Sequence, residues 1–258
     1  MRRFLHISLA VAGGLMTACV ALAGAMPGVA SAAQQKPVAA SAPVAAARVT
    51  SPAYVPAKRT LSDGMQGSDV KALQRRLTQL KYYAGPANGQ FGSDTLEAVW
   101  AFQEVQGLST DGVVGSHTER ALVSPRAPQS RYPRGGALRV EVNLHLRVLL
   151  LYRGNKLALI SHVSAGGGYY YCSDGSCGYA VTPAGHYKTT TFMPGWVTVP
   201  LGEMYNPVFF IGTAYAIHGD TYVPLQPASH GCVRIPMDIA AFFHTLVKSH
   251  GTPVYVYN

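Results

Sequence analysis

Between residues 61 and 123, apolar side chains recur at helical spacing and glycines interrupt them. Val70, Leu73, Leu77 and Leu80 fall on one side of a helix that Ser68 or Asp69 would cap. A second run, Leu96, Val99, Phe102 and Val105, follows Ser93 and Asp94, with Glu97 three residues after Asp94 in a capping-box arrangement, and stops at Gly107. A third, shorter helix has Ser116 at its start and Glu119 three residues on. Glycines 89, 92, 112 and 115 mark the turns. The pattern predicts a small all-α unit over 61–123 with Leu73, Leu77, Val99 and Phe102 in its core.

Past residue 137 the period shortens, and β-branched and aromatic residues dominate up to Tyr257. Strands are predicted over 138–142, 147–152 and 157–164, with Arg153-Gly154-Asn155 as a turn, and over 185–191, 214–218 and 253–257. One helix starts after Pro236, presents Ile239, Phe242, Phe243 and Leu246, and ends before Gly251. Residues 137–258 therefore read as a mostly β domain, a sandwich or partly open barrel with one packing helix. Two stretches carry no period. Residues 33–60 are rich in Ala, Pro, Val, Ser and Gln and read as a disordered linker, and residues 124–136 read as a second, Pro/Arg-rich linker.

The first 32 residues have the pattern of a removable leader: Arg2-Arg3, an apolar run from Ile7 to Leu22, and a small-residue site at Ala30-Ser31-Ala32. The reading implies export. A competing reading takes Met16-Thr17-Ala18-Cys19 as a lipoprotein processing site, with Cys19 lipidated and the protein held on a membrane. Stable membrane insertion is not implied otherwise, because Gly13, Gly14 and Gly24 dilute the apolar run. The 258-residue chain carries +9, and loss of the leader removes Arg2 and Arg3 and no acid, leaving +7. Outside the cell, that balance favours anionic polymers such as a bacterial wall, and no dense Lys/Arg run points to nucleic acid. Three cysteines then remain, an odd number for an oxidising compartment. Cys172 and Cys177 sit five residues apart in a Gly/Tyr-rich loop, where a local disulfide would leave Cys232 free; two unpaired loop thiols are the alternative.

The candidate chemistry lies in Ser229-His230-Gly231-Cys232-Val233-Arg234, with Ile217-His218-Gly219 upstream. A thiol is mostly protonated at neutral pH, so a nucleophilic cysteine needs a base or an electropositive setting. His218 and His230 are the nearby imidazoles. Glycines at 219 and 231 permit sharp backbone turns whose N–H groups can line an oxyanion hole. Arg234 either pairs with a substrate carboxylate or holds the loop, Tyr205 is a candidate substrate contact, and Phe209 and Phe210 either flank the cleft or belong to the core. The nine histidines contain no metal-binding run, so neither a metal nor a cofactor is implied.

These residues resemble the signature of the L,D-transpeptidases (YkuD type), matched here at His218, Gly219, Ser229, His230, Gly231, Cys232 and Arg234. The likeness extends back through Thr182-Pro183-Ala184-Gly185-His186-Tyr187, while the interval from His218 to Ser229 is short for that family. The resemblance implies Cys232 as nucleophile and His218 as base, oriented by the Gly219 carbonyl. It places Ser229, His230, Gly231 and Arg234 in support. It also implies the reaction: a thioester formed with a peptidoglycan tetrapeptide stem, release of D-Ala, and capture by an amine of a second stem to give a 3-3 cross-link. Water as acceptor would make the enzyme an L,D-carboxypeptidase. Separately, Gly67 to Leu77, Asn88-Gly89-Gln90-Phe91-Gly92 and Asp111-Gly112-Val113-Val114-Gly115 resemble a peptidoglycan-binding domain, for which Tyr82, Tyr83, Asn88 and Gln90 are candidate contacts. The implied partners are stem peptides and the glycan wall, and the implied location is secreted, at the cell wall. A non-catalytic wall-binding protein is the rival class, but it leaves His218 and Cys232 without a role.

Overall fold

A computed structural model describes residues 54–173 and 175–258, and these fall within one compact unit. The leader, the Cys19 site and the linker up to residue 53 lie outside the described residues.

Three helices come first: α1 (Ser68–Gln79), α2 (Ser93–Gln106) and α3 (Ser116–Val123). Their apolar stripes converge, so that Leu73, Leu77, Val99 and Phe102 are buried. The caps differ from expectation. Gly67, Gly92 and Gly115 occupy the N-cap positions and no side chain caps any of the three helices. Glycine is tolerated there at a cost of only a few tenths of a kcal/mol relative to the best caps, which frees the acids for other contacts. Glu119 accepts hydrogen bonds from the Tyr54 hydroxyl (2.7 Å) and the Ala57 amide (3.2 Å). Arg59 pairs with Asp69 at 2.7 Å. The end of the predicted 33–60 linker is therefore docked on the helices by these contacts.

Two sheets and a helix follow. The first sheet has the order β3 (Lys156–His162), β2 (Val148–Arg153), β1 (Arg139–Asn143), β12 (Pro253–Tyr257) and β6 (Gly185–Lys188). The second has the order β11 (Val233–Pro236), β10 (Tyr215–Asp220), β9 (Gly202–Ile211) and β7 (Thr191–Phe192), with β8 (Trp196–Val199) also paired to β9. The strands β4 (Tyr170–Ser173) and β5 (Ser176–Tyr179) form a separate hairpin. Period-two alternation sorts the first sheet. Val140, Val142, Leu149, Leu151, Val254 and Val256 face the second sheet and α4 (Met237–Leu246), which adds Ile239, Ala240 and Phe243 to the core. Phe242 and Leu246 are only partly buried.

The opposite face of the first sheet is covered as well. Val148, Leu150, Tyr152 and Ile160 join the helical residues in one apolar cluster, so helices and sheet share a core. Tyr82, expected as an exposed binding residue, is 2% exposed within it and meets the Phe102 ring at 5.5 Å. Tyr83 packs on Phe242 at 5.3 Å. Asn88 and Gln90 remain exposed. The other half of this face is covered by the 124–136 segment, which is anchored and not free. Tyr132 stacks on Tyr255 at 4.3 Å, and Ser130 and the Arg131 amide hydrogen-bond to the buried Glu141 carboxylate. Glu141 also pairs with buried Arg139 at 2.8 Å, whose guanidinium lies 3.9 Å from the Tyr152 ring.

Candidate active site

Strands β10 and β11 run parallel, with Ile217 opposite Val233 and His218 opposite Arg234. Ile217, Val233 and Ile235 point into the core. Alternation then sends Ala216, His218, Cys232 and Arg234 to the other side, where His218, Cys232 and Arg234 line a cleft of about 630 Å³. One flank is the β4–β5 hairpin, contributing Tyr171 and Cys177, and the other is the β8–β9 hairpin, contributing Val197, Leu201 and Met204. Cys172 and Cys177 are directly opposed in their hairpin and joined as a disulfide. Cys232 is the free cysteine among the described residues.

His218 is 4% exposed, and its Nδ1 lies 2.9 Å from the Gly219 carbonyl. A carbonyl oxygen can only accept, so Nδ1 carries the proton and Nε2 keeps its lone pair. Burial lowers the His218 pKa and nearby Arg234 adds to this, while the Gly219 hydrogen bond opposes it. The Cys232 thiol is pushed up by burial and pulled back by the Ala216 amide, 3.4 Å from the sulfur, and by Arg234. The resting pair at neutral pH is therefore an uncharged imidazole and an uncharged thiol in one cleft. Arg234 lies 3.1 Å from Asp220, so its charge is partly balanced within the protein.

The turn before Cys232 is tightly specified. Gly231 has φ +144°, and a Cβ there would lie 2.6 Å from the Tyr215 ring and 2.9 Å from the Val181 carbonyl. Ser229 Oγ donates to the Cys232 carbonyl (2.6 Å) and accepts from the Gly231 amide (3.0 Å). Thr182 Oγ1 donates to the Gly231 carbonyl at 2.6 Å. The Gly231 N–H is thereby occupied, whereas among the described residues the His230 and Cys232 amides have no such partner. His230 lines the cleft with its ring against Tyr171 (4.7 Å) and Tyr169 (5.4 Å).

Of the residues singled out in the sequence, Cys232, His218, Ser229, His230 and Arg234 meet at the cleft. Tyr205 does not line it. Its ring lies on the other side of β9, under Gly219, where a Cβ would come within 3.2 Å of it and 2.7 Å of Ala240, and it packs on Trp196. Phe209 lines the cleft while Phe210 sits in the core. Asp220, Met204, Tyr171 and the Ala216 amide were not anticipated. Apolar residues bunch in β9, and Asn206-Pro207 interrupts its alternation, which hid both the strand and Met204. The amide of Ala216 has no side-chain signal at all.

Residues 66–122 match a peptidoglycan binding domain, and residues 137–256 match the L,D-transpeptidase catalytic domain. The crystal structure of the L,D-transpeptidase (residues 123–326) from Xylanimonas cellulosilytica DSM 15894 is 35% identical, with a TM-score of 0.73, covering 79% of this chain and 100% of that one. The chain belongs to the L,D-transpeptidase family. It is an enzyme of that family with a helical peptidoglycan-binding domain ahead of the catalytic domain. Curated relatives share a shorter piece. The N-acetylmuramoyl-L-alanine amidase CwlM of Mycobacterium tuberculosis is 41% identical over 58 residues, 22% of this chain and 14% of that protein. A spore cortex-lytic enzyme of Bacillus cereus is 40% identical over 65 residues, 25% of each. The matched piece thus spans a quarter or less of these two relatives.

Proposed function

We propose that this family member forms 3-3 peptidoglycan cross-links through a Cys232 thioester, at the cell wall after export. The observation that carries the reading is the placement of His218 on β10 and of Cys232 immediately before the parallel strand β11, with the Cys232 thiol and the free Nε2 of His218 in one cleft large enough for a peptide. His218 Nε2 takes the thiol proton as sulfur attacks the carbonyl of the third stem residue. The Ala216 amide, and Arg234 at a distance, favour the developing thiolate. The amides of His230 and Cys232 supply donors for the oxyanion; one such donor is worth about 3 kcal/mol. Collapse breaks the amide bond, His218 returns its proton to the departing D-Ala amine, and a thioester remains. An amine of a second stem then attacks the thioester, His218 takes its excess proton, and the thiol is restored. The Gly219 carbonyl supports the imidazolium formed at each step. The helical domain retains the enzyme on glycan.

Mixing the full chain with tetrapeptide muropeptides should release D-Ala and yield cross-linked dimers by mass spectrometry, and Cys232→Ala should give neither. Dimers from the Cys232→Ala variant would place the nucleophile elsewhere. Release of D-Ala without dimers would favour the carboxypeptidase.

A further inference from the structure

The loop from residue 221 to residue 228 joins the base strand to the Ser229–Cys232 turn, and it is fastened from behind along the extension of β3. His162 Nε2 lies 3.1 Å from the Pro224 carbonyl. Ser164 Oγ donates to the Gln226 carbonyl at 2.8 Å and accepts from the Ala228 amide at 3.1 Å. The Ser229 amide donates to the Ala165 carbonyl at 2.9 Å, and Ser164 and Arg234 exchange backbone hydrogen bonds. These contacts set where the segment carrying Cys232 begins.

What lies behind this fastening belongs to the other domain. The Trp100 ring on α2 meets the His162 ring edge-on at 5.4 Å, with the ring planes 66° apart. One turn earlier on the same helix, Glu97 is buried, and Val223 in the 221–228 loop is fully buried. The Pro224 carbonyl can only accept, so His162 Nε2 holds the proton. Burial lowers the His162 pKa to about 4, and neighbouring Arg147 acts in the same direction, so the ring is neutral at physiological pH. Burial raises Glu97 to about 8, and the carboxylates facing it, Asp94 on its own helix and Asp238 on α4, add to the shift. The His162–Pro224 contact is thus a hydrogen bond between uncharged groups, where geometry rather than long-range charge fixes position.

We infer that α2 of the peptidoglycan-binding domain positions the reactive thiol, with Trp100 backing His162 and His162 holding the 221–228 loop at Pro224. Both are positioning residues; neither lines the cleft. The inference rests on the reading of Cys232 as nucleophile. It makes the helical domain part of the catalytic apparatus as well as a tether to glycan.

The test measures, on the full chain, iodoacetamide alkylation of Cys232 at pH 7, read at its own peptide by mass spectrometry, together with kcat and KM for D-Ala release from a soluble tetrapeptide stem. His162→Phe keeps the ring against Trp100 but removes the donor, and both alkylation and kcat should fall on the order of ten-fold, since displacements of about 1 Å can cost up to a hundred-fold. KM should stay within about two-fold, as a displaced thiol affects chemistry more than binding. His162→Gln, which carries an N–H at similar reach, should restore both rates to within about two-fold, a rescue that a merely structural role does not predict. Trp100→Ala should slow both about three-fold, and it decides the matter if His162→Phe does not fold. Wild-type alkylation rates in folded His162→Phe or Trp100→Ala, or failure of His162→Gln to rescue, would overturn the inference. Absence of D-Ala release from the wild type would sink the transpeptidase reading instead, while alkylation still tests the positioning.

Discussion

The two faces of the catalytic domain are built on opposite plans. Behind the first sheet, Val148, Leu150, Tyr152 and Ile160 share a core with the helices, and Arg139 and Glu141 are buried under the 124–136 segment. In front, the cleft is flanked by two hairpins that leave large side chains in solvent: Tyr170 is 61% exposed, Tyr179 67% and Trp196 48%. Apolar area removed from water stabilises the fold at roughly 25 cal/mol per Å², so the back carries stability and the front contributes less. Among the described residues the one covalent bridge, Cys172–Cys177, lies in front, where little burial is available to hold a hairpin.

The largest effect should come from separating the faces. A fragment of residues 137–258 exposes four core side chains, each worth roughly 1.5–3 kcal/mol, against a total stability of about 5–15 kcal/mol. It should be insoluble or unfolded when expressed alone; a soluble fragment that melts with the full chain would break the comparison. Next in size is Glu141→Ala, which leaves Arg139 buried without its carboxylate and should cost about 3–5 kcal/mol in urea unfolding. A pH series sharpens the contrast further. The native state raises Glu97 from its ordinary 4.5 to about 8 and Asp94 from 3.8 to about 6, chiefly by burial, so it holds protons that the unfolded chain has released. Below pH 6.5 the buried His162 and His218, whose pKa values are lowered, oppose this trend, so melting temperature should fall as pH rises from about 6.5 to 8, and Glu97→Gln should flatten that fall. The smallest change belongs to the front. Reducing Cys172–Cys177 relaxes a very short loop worth about 2 kcal/mol at most, and calorimetry with reductant should show little shift in the main transition.

What the sequence revealed follows the same division. Helical spacing located α1 to α3, and β12 was placed at its observed bounds, because single elements declare themselves by local period. The thiol and imidazole were legible because Ser-His-Gly-Cys and His-Gly are contiguous. Tyr82 was misplaced because one residue reads alike whether it faces solvent or a second domain, and burial against Phe102 is a tertiary fact. A capping acid misled for a related reason: Glu119 stands at capping spacing, yet it has long-range partners, Tyr54 and the Ala57 amide, that outcompete the local one. The supports of the cleft, such as Ser164 on Gln226 and the Ala216 amide on sulfur, involve main-chain atoms that every residue possesses.

The undivided core between helices and sheet has a mechanical corollary. Because helices and sheet share their apolar side chains, the offset from the helical domain to the Cys232 sulfur is set by the fold, as between the jaws of a caliper. Under the proposed function, a strand seated on the helices would present its peptides to the thiol at one set reach, so the spacing of the links would be gauged by the protein itself.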